Sequence, residues 1–354
     1  MKIWDAMGKT SKDTSSEFVE FLPDIGTFFN QDIDMAFRMI DQLADADVRC
    51  IKGEVLHDAS VCLNVGAQEK FYETASETTY FEDYYELIQR KVVSLDDYAK
   101  LFSYCQKKNL QIALSVYDFE GVRFAEGLNA KYIKISSSNV THKPLIQAVC
   151  ETNSVLLLDT GHATTEEIAR AINWIEDAGK SDFIVQHSPP APPAPIHEHN
   201  LKYMVNLGVM FGCRYSLSDH HKGNEMLLAA VALGASVVEK GVCLDDGKID
   251  QDVNHAMKIS EVAGVLRAIK NISAALGSGV RQLPRDRPKY LSRMGLVLKH
   301  DLAKGHILEM GDLDFAFPAV GIPVEYIDLI IDKKLGVDKA AGLPLHWEDL
   351  FAGN

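Results

Sequence analysis

Tyr215-Ser216-Leu217-Ser218-Asp219-His220-His221 and, one helix later, Val237-Val238-Glu239-Lys240-Gly241 are the stretches whose reading decides the fold. Each is the end of a short apolar run that reads as a buried strand. Each places polar or charged groups where that strand stops, and parallel α/β folds keep their chemistry at the carboxyl ends of strands. Working outward, the same texture recurs at Phe18–Leu22, Val48–Ile51, Gln111–Ser115, Tyr132–Ile135, Ser154–Leu158, Phe183–Val185, Gly212–Leu217 and Ser236–Glu239. These runs are short, mostly apolar and often β-branched or aromatic. Between them lie amphipathic stretches at Asp32–Leu43, Ser94–Lys107, Thr165–Ala178, Asn224–Leu233 and Ser260–Leu276. Thr164-Thr165-Glu166-Glu167 supplies a hydroxyl cap followed by acids, the signature of a helix start.

Strands alternating with helices over about 280 residues predict a (β/α)8 TIM barrel, for which about 250 residues is typical. A doubly wound sheet is the alternative, but no GxGxxG fingerprint follows any strand. After Gly277-Ser278-Gly279 the texture changes. The expected organisation is a barrel over 1–280, a linker over 281–289 rich in proline and charge, and a small β-rich module over 290–354. Pro189-Pro190-Ala191-Pro192-Pro193-Ala194-Pro195 cannot continue a sheet or helix and reads as an extended loop after the sixth strand.

Composition excludes several classes. The net charge of −14 argues against a nucleic-acid binder, since phosphate backbones select basic faces. No apolar run is long enough to span a bilayer, and the first residues carry no signal-peptide pattern. The six cysteines are scattered without CxxC pairing, as in a reduced, cytoplasmic protein.

Several landmarks together resemble the sialic acid synthase family, enzymes that condense phosphoenolpyruvate with an amino sugar. They are Lys134-Ile135-Ser136-Ser137, Thr160-Gly161-His162-Ala163-Thr164, His187 followed by Pro193-Ala194-Pro195, Ser218-Asp219-His220, and the helix end Ala229–Ser236 leading into Glu239-Lys240. Val297-Leu298-Lys299-His300-Asp301 with Lys304-Gly305 is similar to the antifreeze-like (SAF, β-clip) domain that closes such proteins. The resemblance implies a homodimer whose C-terminal domain reaches over the partner's barrel.

Phosphoenolpyruvate carries a phosphate and a carboxylate, so its site needs cations and convergent donors. The resemblance places Lys52, Ser115, Lys134, Ser137 and Ser218 there; alternatively, either lysine bridges to a barrel carboxylate. It implies Asp24, His220 and Asp252 as catalytic residues. It also implies a divalent metal, Mn or Mg, held by His187 and His220 to polarise the acceptor's carbonyl, the alternative being two packed strand-end histidines. His197, His199 and His221 are expected to be exposed on loops.

The departures from the family pattern fall mainly on the acceptor. The His that normally follows Glu-Lys is Gly241, and an acidic residue is kept only as the shorter Asp24. An Asn and a His of the family loop are Phe28 and Phe29, a carboxylate is Asn139, and an anion-contacting serine is Asp159. An arginine of the C-terminal domain corresponds to Phe317. Three readings follow. The chain condenses phosphoenolpyruvate with a different, less polar aldehyde. Or it runs a Schiff-base reaction through Lys134 or Lys240, unless Lys240 pairs with Glu239 or Asp219. Or it has kept the fold as a sugar or anion sensor or a partner subunit.

Overall fold

The structure, a computed structural model, describes residues 19–26, 28–73, 78–190, 195–245, 255–281 and 292–351. The chain divides into two compact units between Gly277 and Ser278.

In the first unit β1 (Glu20–Asp24) and β2 (Cys50–Val55) flank α1 (Ile33–Asp45). A hairpin of β3 (Gln68–Glu73) and β4 (Thr78–Asp83) and the helix α2 (Tyr84–Lys91) intervene before α3 (Leu95–Lys107). The alternation then runs β5 (Gln111–Val116), α4 (Phe119–Gly127), β6 (Tyr132–Ile135), α5 (Lys143–Cys150), β7 (Val155–Asp159), α6 (Thr165–Asp177) and β8 (Phe183–His187). It ends with α7 (Leu201–Phe211), β9 (Arg214–Asp219), α8 (Glu225–Ala232), β10 (Val237–Cys243), the short β11 (Met257–Lys258) and α9 (Ile259–Leu276). The strands pair in parallel in the order β1-β2-β5-β6-β7-β8-β9-β10, and β10 pairs back to β1, with Glu20 opposite Val237 and Asp24 opposite Gly241. This closed ring with helices outside it is the expected (β/α)8 barrel.

Side chains alternate across a strand, and the alternation sorts the core into two layers. Leu22, Cys50, Ala113, Tyr132, Leu157, Ile184 and Val237 form a cluster of their own inside the ring, one from each of seven strands. Phe21, Ile51, Ile112, Ile133, Leu156, Leu158, Val185 and Val238, one residue away along the same strands, belong to the larger cluster shared with the helices. Gly53 lets α3 approach β2: a Cβ there would lie 2.8 Å from Phe102 Cζ. The helices start where their caps predict, with Asp32, Ser94 and Thr164 each accepting from a first-turn N–H. All six cysteines are free thiols, and burial pushes that of Cys105 up to about 12. Among the described residues no helix is long and apolar enough to cross a membrane.

The second unit pairs β12 (Gly295–Leu298) antiparallel to β13 (Leu313–Ala316) over a core of Leu296, Leu298, Leu308, Leu313, Ile322, Ile330, Leu335 and Leu345. Short bridges at Val297–Pro344, Leu302–Lys339 and Ile307–Lys334 complete this small β-rich fold. A last turn of helix, α10 (Glu348–Phe351), follows. Of the expected linker only Arg281 lies among the described residues.

Candidate active site

Two residues beyond the apolar plug along each strand, the same alternation turns polar groups into the barrel. Asp24 follows Leu22, Lys52 follows Cys50, Ser115 follows Ala113, Lys134 follows Tyr132, Asp159 follows Leu157, Gln186 follows Ile184, and Glu239 follows Val237; all are buried. A charge layer therefore lies directly on the plug at the carboxyl-end half of the barrel, where such folds hold their sites.

The lysines anchor this layer. Lys52, 1% exposed, donates to Asp24 Oδ2 at 2.6 Å and Glu54 Oε1 at 3.1 Å, and lies 3.9 Å from Glu239 Oε1. Lys134, 4% exposed, meets Glu239 Oε1 at 2.6 Å, Asp159 Oδ2 at 2.9 Å and Ser218 Oγ at 3.4 Å. Burial pulls both ammonium groups down, but the surrounding carboxylates more than offset it and hold both above the ordinary lysine value. Burial pushes Glu239 up, yet Lys134 and Lys52 outweigh it and hold this carboxyl down at about 2. Asp24 goes the other way. Burial raises it to about 7 against the pull of Lys52, with Glu239 and Glu54 adding to the rise. Its Oδ1 accepts from Gly26 N–H at 2.7 Å. The hydroxyls of Ser115 and Ser216 and Gln186 Oε1 are buried in this layer without a hydrogen-bond partner.

Apart from Asp252, the residues singled out in the sequence have definite places. Ser115 stands beside Lys134 in register. Ser218 Oγ joins the network, 3.3 Å from both Glu239 Oε1 and His220 Nε2. Ser137 and Asn139 form the turn after β6, and Ser137 Oγ faces the loop after β7, 3.4 Å from where a Cβ on Gly161 would be. Phe28 lies over Gly241, where a Cβ would meet its Cζ at 2.4 Å. Phe29, 2% exposed, packs into the barrel–helix core. Phe317 belongs to the second unit and is exposed. Asp252 lies outside the described residues.

The histidines depart most from expectation. Because Gln186 points inward, His187 points away from the charge layer; its Nε2 bonds the carbonyl of His199 at 2.7 Å and its ring packs edge-on to Tyr203. Burial lowers its pKa. His199 is 1% exposed rather than on a solvated loop, since this bond and the left-handed turn at Asn200 draw it inward; His197 is exposed as expected. His221 is also partly covered: its N–H donates to Asp219 Oδ1 at 2.9 Å and its Nε2 lies 2.9 Å from Glu225 Oε1. His220 instead meets His255, which sequence reading passed over, with Nδ1 and Nε2 3.2 Å apart. Two nitrogens on one ion, each bound at about 2.0–2.1 Å, also lie about 3 Å apart. The pair is therefore spaced for shared coordination as well as for a hydrogen bond. Among the described residues no group of three His, Cys, Asp or Glu converges as metal ligands. Lys240 pairs with Asp219 at 2.9 Å, one of the two partners anticipated, on the opposite strand face from Glu239.

Comparison with known proteins bears on the family and the fold. An N,N'-diacetyllegionaminic acid synthase of Campylobacter jejuni is 29% identical over 326 residues, covering 90% of this chain and 97% of that protein. A pseudaminic acid synthase of Helicobacter pylori is 27% identical, with 91% and 94% covered. Among solved structures, an N-acetylneuraminic acid synthetase of Leptospira borgpetersenii superposes with a TM-score of 0.65 at 24% identity over 76% of this chain and 89% of that one. A spore coat polysaccharide biosynthesis protein E of Chromobacterium violaceum gives 0.70 at 20% identity over 93% and 98%. These two likenesses bear on the fold. The SAF domain pattern matches residues 293–350 and that of the NeuB family residues 39–281, so the chain is a member of the NeuB family with a C-terminal SAF domain.

Proposed function

We propose that the protein condenses phosphoenolpyruvate with a sugar-like aldehyde, giving a 2-keto-3-deoxy acid of the nonulosonic type and inorganic phosphate. The observation that carries this reading is the pair of buried lysines, Lys52 and Lys134, set in one layer with Ser115 and Ser218 at the carboxyl-end half of the barrel. Two cations in one dry pocket suit a substrate with two anionic ends. The relatives named as legionaminic and pseudaminic acid synthases point to the same class of product.

In this reading carbon 3 of the enol attacks the aldehyde carbon, water adds to carbon 2, and the carbon–oxygen bond to phosphate breaks. The enol's three carbons and the aldehyde enter the product, and the water oxygen becomes its keto oxygen. Asp24, held near 7, is poised to take the proton of that water. Lys52, bonded to Asp24, keeps the carboxyl oriented. His220 faces the acceptor's carbonyl oxygen. A divalent metal, Mn or Mg, would be held by His220 and His255 rather than by His187, whose ring is turned away from the charge layer towards Tyr203 and the His199 carbonyl. Bound there, it would polarise the acceptor carbonyl. Phe28 over Gly241 makes this end of the pocket apolar, which favours an acceptor with fewer hydroxyls facing it. The Schiff-base alternative loses ground, because Lys134 and Lys240 both sit in buried ion pairs.

The test is a calorimetric titration of phosphoenolpyruvate with and without manganese, followed by an acceptor screen for phosphate release. Lys134→Ala should abolish binding; undiminished affinity would remove the anion site. Binding without turnover on any aldehyde would favour the sensor or partner-subunit role. The homodimer with the C-terminal domain over the partner's barrel belongs to the same reading, and light scattering reports its mass.

A further inference from the structure

The charge layer is unbalanced. Lys52 and Lys134 bring two positive charges, while Asp24, Glu54, Asp159 and Glu239 bring four carboxyl groups to them. An ammonium has three protons to donate. On Lys134 all three directions are taken, by Glu239 at 2.6 Å, Asp159 at 2.9 Å and Ser218 at 3.4 Å. An incoming anion can reach this lysine only by displacing one of them.

The contacts differ in how firmly they are held. Glu239 is also bonded to Gln186 Nε2 at 3.2 Å and Ser218 Oγ at 3.3 Å, and it faces Lys52, so three other strands fix it. Asp159 is the last residue of β7, and its other oxygen is held by Gly161 N–H in the turn that follows, at 3.0 Å. That turn faces hydroxyls, with Ser188 Oγ and Ser137 Oγ 3.2 and 3.4 Å from the position of a Cβ on Gly161. Asp159 is thus the partner tied to a loop rather than to the barrel wall, and the side chains beside it are those an oxyanion would need.

We propose that Asp159 is an internal stand-in for the substrate's carboxylate: it occupies Lys134 in the absence of phosphoenolpyruvate, and the substrate binds by displacing it. This rests on the phosphoenolpyruvate reading of the site. The arrangement has a physical rationale on both sides. The Lys134 ammonium has three protons to place; Glu239 and Ser218 take two of them, and Asp159 takes the third when no substrate does. In return it becomes a competitor, because its charge stays within the same poorly screened pocket as the ligand. It also selects against ligands with one anionic end, which cannot hold Lys52 while competing for Lys134.

The test is calorimetric titration of phosphoenolpyruvate into the full-length protein, Asp159→Ser and Asp159→Asn, with thermal melts of all three. Asp159→Ser should bind at least tenfold tighter than the unsubstituted chain, which is about 1.4 kcal/mol. Asp159→Asn, which keeps the shape and drops the charge, should gain in the same direction and carries the test if the serine variant does not fold. A merely structural Asp159 would give no gain. Equal or weaker binding by folded variants, with the unsubstituted chain still binding, overturns the displacement alone. No binding by any of the three removes the anion site, and the displacement with it.

Discussion

At the scale of single residues, the charge layer makes stability depend on pH in two opposed ways. Asp24 has an ordinary value of 3.8 and is raised to about 7 by burial. The folded chain therefore keeps this proton where the unfolded chain has released it. Its contribution is full below about pH 4 and is lost as pH rises through about 7. Glu239, held down at about 2 by Lys134 and Lys52, contributes above its ordinary 4.5 and loses that as pH falls towards 2. Between pH 5 and 7 the Asp24 effect dominates, with a slope of up to about 1.4 kcal/mol per pH unit. Asp24→Asn should flatten the fall in melting temperature over that window; parallel profiles for the two proteins would show that Asp24 does not hold the proton. At Gly241 a steric prediction applies. Gly241→Ala places a methyl 2.4 Å from Phe28 Cζ and should cost about 1–3 kcal/mol in denaturant unfolding. Adding Phe28→Leu should recover most of that loss, and no recovery would mean the clash lies elsewhere.

At the scale of elements, local chemistry and periodicity made the barrel legible. All eight barrel strands fall where short apolar runs were read, and Asp32, Ser94 and Thr164 cap helices as their side chains predict. The capping box at α6 should be measurable: Thr164→Ala is expected to cost about 1 kcal/mol, and an unchanged unfolding midpoint would deny the cap. The short helices α4 and α5 went unread because eight or nine residues carry little periodicity, whereas α8, no longer, was read from its unbroken apolar run after Glu225. The β3–β4 hairpin was missed because its sequence does not alternate apolar with polar residues, and β4 has no buried residue. Of the candidate site, Lys52, Lys134 and His220 could be picked out as polar residues within or just after apolar strands. Their partners could not. Lys134 finds Glu239 105 positions away and Lys52 finds Asp24 across the β1–β2 pairing, contacts that exist only once the ring closes. His187 was misjudged for want of the inward–outward register, which gives the inner place to Gln186.

At the scale of the molecule, the two units carry separate apolar cores of very different size. Leu335→Ala, in the smaller core, should speed hydrogen exchange in residues 292–351 while the barrel strands keep their protection. A uniform increase would show one cooperative unit instead. The barrel's chemistry rests on a closed ring that brings distant strand ends into one layer, so changes there are coupled across the chain. The ring of Phe28 over Gly241 makes one such coupling explicit. Any side chain added at position 241 must push this ring aside, so the two positions work as a lock and its bolt. A polar group can be set at 241 without strain only where residue 28 is made smaller as well.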